Sequence, residues 1–291
     1  MIELQTKNHK RQTIAHWLQE NTAKLQNLAI ESARLDCLLL LEFVLEKPRD
    51  WLFAHDDELL TDSQSERLDA CAKRRADRIP LAYITGSKEF YGRTFSVTEN
   101  TLIPRPESEA IIEMLRDINI KTTINTVIDV GTGSGILAIT AKLEFPDIHV
   151  SATDVSPQAL TTARKNAKHW QTHINFKLED FKKDGLPKMP KTRPYVILAN
   201  LPYVPRKMIT SPEILKEPGV ALFSGEDGLD HYRAFWQHIS DLNNKPLAVI
   251  TESLASQHRP LESMAKDANY KLEKTTDLIQ LFTWSDLRTK I

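Results

Sequence analysis

Residues 127–135 read Val-Ile-Asp-Val-Gly-Thr-Gly-Ser-Gly, and the apolar stretch Ile136-Leu137-Ala138-Ile139 follows directly. That order predicts a strand, a tight turn and a helix in immediate succession. The glycines let backbone approach a ligand, and the first helical turn leaves N–H groups without intrahelical partners. The chain holds 9 glycines in 291 residues, about 3% against a usual share of roughly 7%. A chain so sparing of glycine that still clusters Gly131, Gly133 and Gly135 needs open backbone there, which marks a ligand loop. A dinucleotide fingerprint requires glycine at the sixth place of GxGxxG, and Ile136 stands there, so NAD is set aside.

Outward from this loop, strand-like runs (NTVIDVG, HVSATD, INFKLED, YVILAN, PLAVITES) alternate with helical stretches near 107–118, 136–144, 157–169, 230–241 and 258–267. Such alternation predicts an α/β, Rossmann-like domain over 101–291, a mostly parallel sheet with helices on both faces. The terminal YKLEKTTDLIQLFTWSDL, broken near Thr275 to Asp277, predicts a closing antiparallel hairpin. Residues 1–85 read as a small helical bundle. One stripe runs through Ile14, Trp17, Leu18 and Leu25. A second runs through Leu35, Leu38, Leu39, Phe43 and Leu45 and ends at Pro48. A third helix starts at the capping candidates Thr61, Asp62 and Ser63 and stops at Pro80. Over 86–100, EFYGRTFSVT predicts a hairpin about Gly92-Arg93 that links the two domains.

Composition narrows the function classes. Lys and Arg number 38 against 39 Asp and Glu, for a net charge of -1, which excludes a generally basic nucleic-acid binder. The bundle is the more acidic part, with 12 basic and 14 acidic residues over 1–85 against 26 and 25 over 86–291. With 41% hydrophobic residues, disorder is excluded as well. Cys37 and Cys71 form no metal-ligand or disulfide pattern, so two buried thiols in a reducing cytoplasm and no metal are expected. The opening MIELQTKNHKRQTIAHWL lacks a signal-peptide core, and no run approaches a membrane span. The Lys/Pro-rich KKDGLPKMPKTR at 182–193 reads as a solvated loop.

The chemistry sits at strand ends. Asp129 precedes the glycine loop; Asp154 ends the next strand, where a carboxylate can accept from both ribose hydroxyls. Asp180-Phe181 ends the third, a polar and aromatic pair suited to an adenine ring. Taken singly, each acid is as well explained as a loop carboxylate or helix cap. Three in register at successive strand ends point to a nucleoside ligand. On the fourth strand comes Asn200-Leu201-Pro202-Tyr203. The loop at 129–135 resembles that of class I S-adenosylmethionine-dependent methyltransferases, and under that resemblance methyl transfer to an amide or aromatic amine must use a nitrogen whose lone pair is delocalised. The Asn200 side-chain oxygen and the Pro202 carbonyl can each accept one N–H of an NH2 group, fix its plane, and already point at the nitrogen that becomes positive. Pro202 also holds Leu201 extended, and Tyr203 supplies a flat wall or a hydroxyl.

Asp129-Val130-Gly131-Thr132-Gly133-Ser134-Gly135 resembles the E/DxGxGxG loop of class I S-adenosylmethionine-dependent methyltransferases, which implies a seven-stranded sheet with a reversed last hairpin. The resemblance narrows with Pro80-Leu81-Ala82-Tyr83-Ile84-Thr85-Gly86, Glu89-Phe90-Tyr91 and Leu102-Ile103-Pro104-Arg105-Pro106-Glu107-Ser108-Glu109. Together with Ser32 to Asp36, Arg74-Arg75, and Glu252 and Gln257, these are similar to the HemK/PrmC family of protein-(glutamine-N5) methyltransferases acting on peptide chain release factors. The resemblance implies S-adenosylmethionine as methyl donor and S-adenosylhomocysteine as product. Its cofactor contacts fall on Gly131 to Gly135, including Thr132 and Ser134, and on Asp154, Phe181 and Asn200. Its substrate contacts fall on Asn200 to Tyr203, with Arg105 and Glu107 near the entrance. It implies methylation of the glutamine in a Gly-Gly-Gln loop, with the helical domain gripping the partner; a cytoplasmic monomer with no nucleic acid and no membrane is expected. Three departures stand out: NLPY for NPPY, Leu254 in place of the glycine of ExGxxQ, and no GxxR in the final hairpin.

NLPY also resembles the spelling of ribosomal RNA adenine-N6 dimethyltransferases, since an adenine amine presents the same two N–H donors. That reading predicts a basic groove about Lys182, Lys183, Lys188, Lys191, Arg193, Arg206 and Lys207, and the near-neutral charge weighs against it. Glutamine methylation of a ribosomal protein shares all of the site logic and stays open. So does a binding protein that has lost turnover.

Overall fold

The computed structural model describes residues 12–190, 194–208 and 210–285. Residues 1–11, Lys191 and Arg193 of the basic loop, and the last residues of the terminal reading lie outside them. The chain divides into two compact units, one comprising the described residues to Thr85 with Pro212–Lys216, the other Gly86–Ser211 with Glu217 onward.

In the first unit, helices α1 (Ile14–Asn27), α2 (Ala33–Leu45), α3 (Arg49–Ala54), α4 (Asp62–Ala76) and α5 (Leu81–Thr85) enclose one apolar core. Ile14, Trp17, Leu18 and Leu25 of α1 are buried in it, as their spacing predicts. Thr61 caps α4, and Gln64 closes a capping box with it, so two otherwise orphaned N–H groups are satisfied. The helix ends at Ala76, short of Pro80, and Pro80 instead leads into α5. The face predicted for α2 is corrected: Leu35 and Phe43 are exposed, whereas Ala33, Asp36, Cys37, Leu40, Leu41 and Val44 are buried with Leu38. Asp36 draws that face inward because Arg75 of α4 donates to it through Nε at 2.6 Å and Ser32 through Oγ at 2.8 Å. Arg75 and Arg78 also pair with Glu213. Cys71 is only half-buried, against expectation.

The second unit opens with a hairpin of β1 (Ser87–Phe90) and β2 (Arg93–Ser96). Its turn falls on Tyr91-Gly92, one residue before the predicted Gly92-Arg93. Then follow α6 (Glu109–Lys121), β3 (Thr126–Val130), α7 (Ile136–Glu144), β4 (His149–Asp154), α8 (Pro157–His169), β5 (Asn175–Leu178), α9 (Phe181–Asp184), β6 (Tyr195–Ala199), α10 (Gly219–Leu222), α11 (Asp230–Asp241), β7 (Ala248–Glu252), α12 (His258–Asp267), β8 (Tyr270–Thr276) and β9 (Ile279–Trp284). A short 3-10 turn at Pro106–Ser108 leads into α6. The strands form a seven-stranded sheet in the order β5-β4-β3-β6-β7-β9-β8. β3 to β7 pair in parallel with one another, and β9 inserts antiparallel between β7 and β8, the reversed hairpin expected from the resemblance.

Side chains alternate between two cores as the two-residue strand period requires. Val196 and Leu198 face a core with α6 and α7, while Tyr195, Ile197 and Ala199 face one with α11 and α12. The chain steps outward from β3 to β5 and returns on the other side as β6, so the ends of β3, β4 and β6 open into a crevice. Open α/β sheets bind ligands at such a switch point.

Candidate active site

A cavity of about 680 Å³ lies at this switch point, within the few-hundred-to-thousand Å³ range usual for small-molecule sites. Its wall takes Gly131 and Gly133 from the glycine loop, Asp154 to Ser156 from the end of β4, Glu179 to Lys182 beyond β5, and Asn200 to Pro202 beyond β6. The sequence thus located Gly131, Gly133, Asp154, Asp180, Phe181, Asn200, Leu201 and Pro202 on one surface. It did not assign Asn100, Thr101, Gly219 to Ala221, Phe223 and His231, which also line that surface, and it read Leu102 only as the start of the Leu102–Glu109 motif. Nothing in their local pattern marks them, because they come from loops, from α10 and from the start of α11, brought in by the fold.

Asp154 has two tasks. Its Oδ2 accepts from the Gly133 N–H at 2.8 Å and its Oδ1 from the Ser156 N–H at 2.8 Å, so the carboxylate shapes the loop while keeping lone pairs for the cavity. Burial raises its pKa against those backbone donors. The three acids do not stand in register as predicted. Asp129 pairs with Ala152 and Asp154 with Leu178, so Asp154 lies two residues beyond the register of Asp129 on the same face of the sheet, and Asp180 two residues beyond Leu178, where β5 has ended. Asp180 lies beyond the end of β5 and caps α9, accepting from the Lys182 N–H at 3.1 Å. Phe181 packs edge-on against Phe235 and near His231.

Asp129, Thr132, Ser134 and Gly135 sit behind the wall. The Thr132 hydroxyl donates to Asp129 at 2.6 Å, and Asn166 of α8 donates to the Ser134 carbonyl at 2.9 Å, so these residues set the shape of the loop. Burial pushes the Asp129 carboxyl up to about 7, with the Thr132 hydroxyl pulling the other way. The native chain therefore keeps a proton that the unfolded chain loses near pH ~4, and this group makes stability fall as pH rises from about 4 to about 7. His231 opposes it: burial lowers its pKa from 6.5 to about 4, so its contribution rises with pH between those values. We expect Asp129→Asn to remove the first dependence and leave the second. The unfolding free energy of the variant minus that of the wild type should grow with pH up to about 7 and then level off. Urea titrations across that range measure it, and parallel curves would show that Asp129 does not titrate there.

The Asn200 turn is held from behind. Asn200 donates through Nδ2 to Glu252 Oε2 at 2.9 Å and to Ser108 Oγ at 3.3 Å. Tyr203 donates its hydroxyl to Glu252 Oε1 at 2.9 Å and does not line the cavity. Burial and the Glu252 carboxylate both raise the pKa of Tyr203, keeping it a donor. Leu201 is buried, and its Cδ2 lies where a Cβ on Gly131 would approach to 3.3 Å. Its N–H donates to Tyr232 Oη at 3.4 Å, a donor that a proline here would lack. Gln257 donates to the carbonyls of Tyr203 and Asp227, both at 2.8 Å. Gly228, at φ +80°, lies so close that a Cβ would stand 2.1 Å from the Tyr203 oxygen. Gly228→Ala is expected to cost on the order of 2 kcal/mol or more, read as a lower thermal midpoint. A shift within error of zero would contradict this packing.

Arg105 and Glu107 are not on the cavity wall. Arg105 pairs with buried Glu217, which also accepts from the Ile103 N–H at 2.9 Å, and Glu107 is exposed. Of the basic side chains named for a nucleic-acid groove, Lys183 pairs with Asp180 at 3.2 Å and Lys207 with Glu226 at 3.3 Å; Lys182 and Arg206 line the cavity. Among the described residues, no group of three or more His, Cys, Asp or Glu is placed to hold a metal ion, and no helix is long and apolar enough to cross a membrane.

A glycine loop after the sheet's first strand, an acid closing the second and an Asn-x-Pro-Tyr turn on the fourth define a methyltransferase of the α/β class. The family model described as the PrmC N-terminal domain matches residues 16–86, and that described as ribosomal protein L11 methyltransferase (PrmA) matches 108–226. The release factor glutamine methyltransferase of Koribacter versatilis is 37% identical over 218 residues, covering 72% of this chain and 76% of the relative. That of Staphylococcus aureus is 34% identical over 258 residues, covering 88% and 90%. The hMettl16 catalytic domain, solved in complex with a MAT2A 3'UTR hairpin, shares the fold at a TM-score of 0.50 and 14% identity over 78% of this chain and 84% of that one. The chain belongs to the release factor glutamine methyltransferase family.

Proposed function

We infer that this chain transfers a methyl group from S-adenosylmethionine to the side-chain amide nitrogen (N5) of the glutamine in the Gly-Gly-Gln loop of a peptide chain release factor. The observation that carries this reading is that Asn200 and Pro202 share one cavity wall with Gly131, Gly133 and Asp154, so acceptor-binding carbonyls face the same space as a nucleoside-binding loop. The donor set suits S-adenosylmethionine: open backbone at Gly133, where a Cβ would meet nothing within 4 Å, a carboxylate at Asp154 for ribose hydroxyls, and Asp180 with Phe181 for the adenine. When bound, that molecule supplies an electrophilic methyl group and leaves as S-adenosylhomocysteine.

Asn200 Oδ1 and the Pro202 carbonyl accept the two N–H groups of the glutamine amide and hold its plane. Their dipoles point at the nitrogen on which positive charge develops, so little reorganisation is needed as the new bond forms, and the methylated nitrogen then gives up one N–H proton to solvent. Leu201, buried between Asn200 and Pro202, lines the same wall. Residues 1–85 serve as the domain that grips the release factor and 86–100 as its linker to the methyltransferase domain of 101–291, with Arg105 and Glu107 beside the substrate entrance. The enzyme works as a cytoplasmic monomer.

The test is transfer of labelled methyl from S-adenosylmethionine into purified release factor, ribosomal protein and ribosomal RNA in parallel, with mass spectrometry locating the label. Label on the release-factor glutamine is expected. Label on the ribosomal protein alone would move the substrate within the same chemistry, and label on RNA alone would overturn the reading.

A further inference from the structure

Glu252 lies at the end of β7, 1% exposed, and receives three donors from two separate segments, Ser108 Oγ at 2.5 Å from one and Asn200 Nδ2 and Tyr203 Oη, both at 2.9 Å, from the Asn200 turn. An amide has two chemically different ends of nearly equal size, and an asparagine in a cavity wall can present either. A carboxylate accepts and never donates, so Glu252 holds the NH2 end of Asn200 and turns Oδ1, the opposite end, toward the cavity that Asn200 lines. The Ser108 hydroxyl, spent as a donor to Glu252, is left to accept from that same NH2 group at 3.3 Å, which makes the arrangement one-directional. Burying a carboxylate this deeply is costly unless its hydrogen bonds are made, and here all three donors come from side chains about the Asn200 turn.

We propose that Glu252 is a positioning residue that fixes the Asn200 amide with its oxygen facing the acceptor nitrogen, and that Ser108 and Tyr203 hold Glu252 in place for that purpose. The proposal rests on the function inferred above. Were the amide reversed, its NH2 group would face the substrate NH2, donor against donor, and the site would repel the group that it is built to bind.

The consequences separate Glu252→Ala from Glu252→Gln. Alanine frees the amide, and kcat for release-factor methylation is expected to fall about tenfold to a hundredfold, the worth of a hydrogen bond to a charged group, while S-adenosylmethionine binding by calorimetry stays within about twofold. Glutamine keeps an oxygen for Asn200 and lets the Tyr203 hydroxyl turn to accept, so it restores most of the loss. A second measurement needs no methyl acceptor. In the nitrogen-15 NMR spectrum of the cofactor-bound protein, the Asn200 side-chain NH2 pair is expected to be shifted and slow to exchange in the wild type and in Glu252→Gln, and to lose both properties in Glu252→Ala. If the alanine variant does not fold, Glu252→Asp, which keeps the charge but withdraws it by one methylene, takes its place with the same expected loss. Unchanged kcat with unchanged Asn200 signals overturns the proposal. So does a loss of kcat that tracks cofactor affinity or the melting midpoint while the Asn200 signals persist, since Glu252 would then serve the fold alone. Should the wild type fail to methylate any release factor, the inferred function falls, and the NMR comparison still decides the orientation of Asn200.

Discussion

Asn200→Ala is expected to lower kcat for methyl transfer by about 10²–10³, the cost of removing one preorganised dipole from a developing charge. The S-adenosylmethionine affinity should change little, because the loop contacts made by Gly131, Gly133 and Asp154 do not pass through the Asn200 side chain. Asn200→Asp separates geometry from charge. Its carboxylate would stand 2.9 Å from Glu252 in place of an amide donor, so two buried acids would have to share a proton or part. The aspartate variant should therefore be no more active than the alanine variant, although it keeps an oxygen acceptor. Single-turnover rates with the release factor and calorimetry with the cofactor measure the two halves. An alanine variant within about threefold of wild type would remove Asn200 from the assigned role.

Arg75→Ala is expected to destabilise the helical unit by about 3–5 kcal/mol, the range for breaking a buried ion pair from one side. The Arg75 and Asp36 side chains are 6% and 8% exposed, and without the guanidinium Asp36 retains only the Ser32 hydroxyl among the partners described above. Glu213, held by Arg75 at 3.1 Å and by Arg78 at 3.0 Å, keeps one of its two arginines. The paired replacement Asp36→Leu with Arg75→Met should recover most of the loss, because an apolar pair of similar volume carries no desolvation cost. Denaturant titration followed by amide exchange over α2 and α4 reads the effect. A single variant as stable as the wild type would mean that water reaches Asp36.

The elements were legible wherever local pattern and tertiary environment agreed. The strands from Thr126 to Glu252 are short apolar runs, mostly β-branched, between polar turns, and α7, α8, α11 and α12 fall on the stretches that the sequence proposes. For α2 the pattern had nothing to choose with. ARLDCLLLLEFVL is apolar nearly all round, so its buried face is selected by Arg75, 39 residues further on, and not by its own periodicity. Likewise, Asp129, Asp154 and Asp180 were each recognised at a strand end, but their stagger follows from strand register, which pairing in the sheet determines. The Asn200 turn could be read from four consecutive residues. What faces it could not: Glu252 and Ser108 were visible only as parts of motifs, with no local sign that both point at one amide.

Every residue on the cavity wall falls between Asn100 and His231, whereas Glu252 comes later in the chain. During synthesis from the N-terminus, the whole pocket surface is therefore made before the carboxylate that orients its central amide. The lining residues and the carboxylate behind them are thus written in separate stretches of the polypeptide, joined by the Ser108–Glu252 contact across 144 positions.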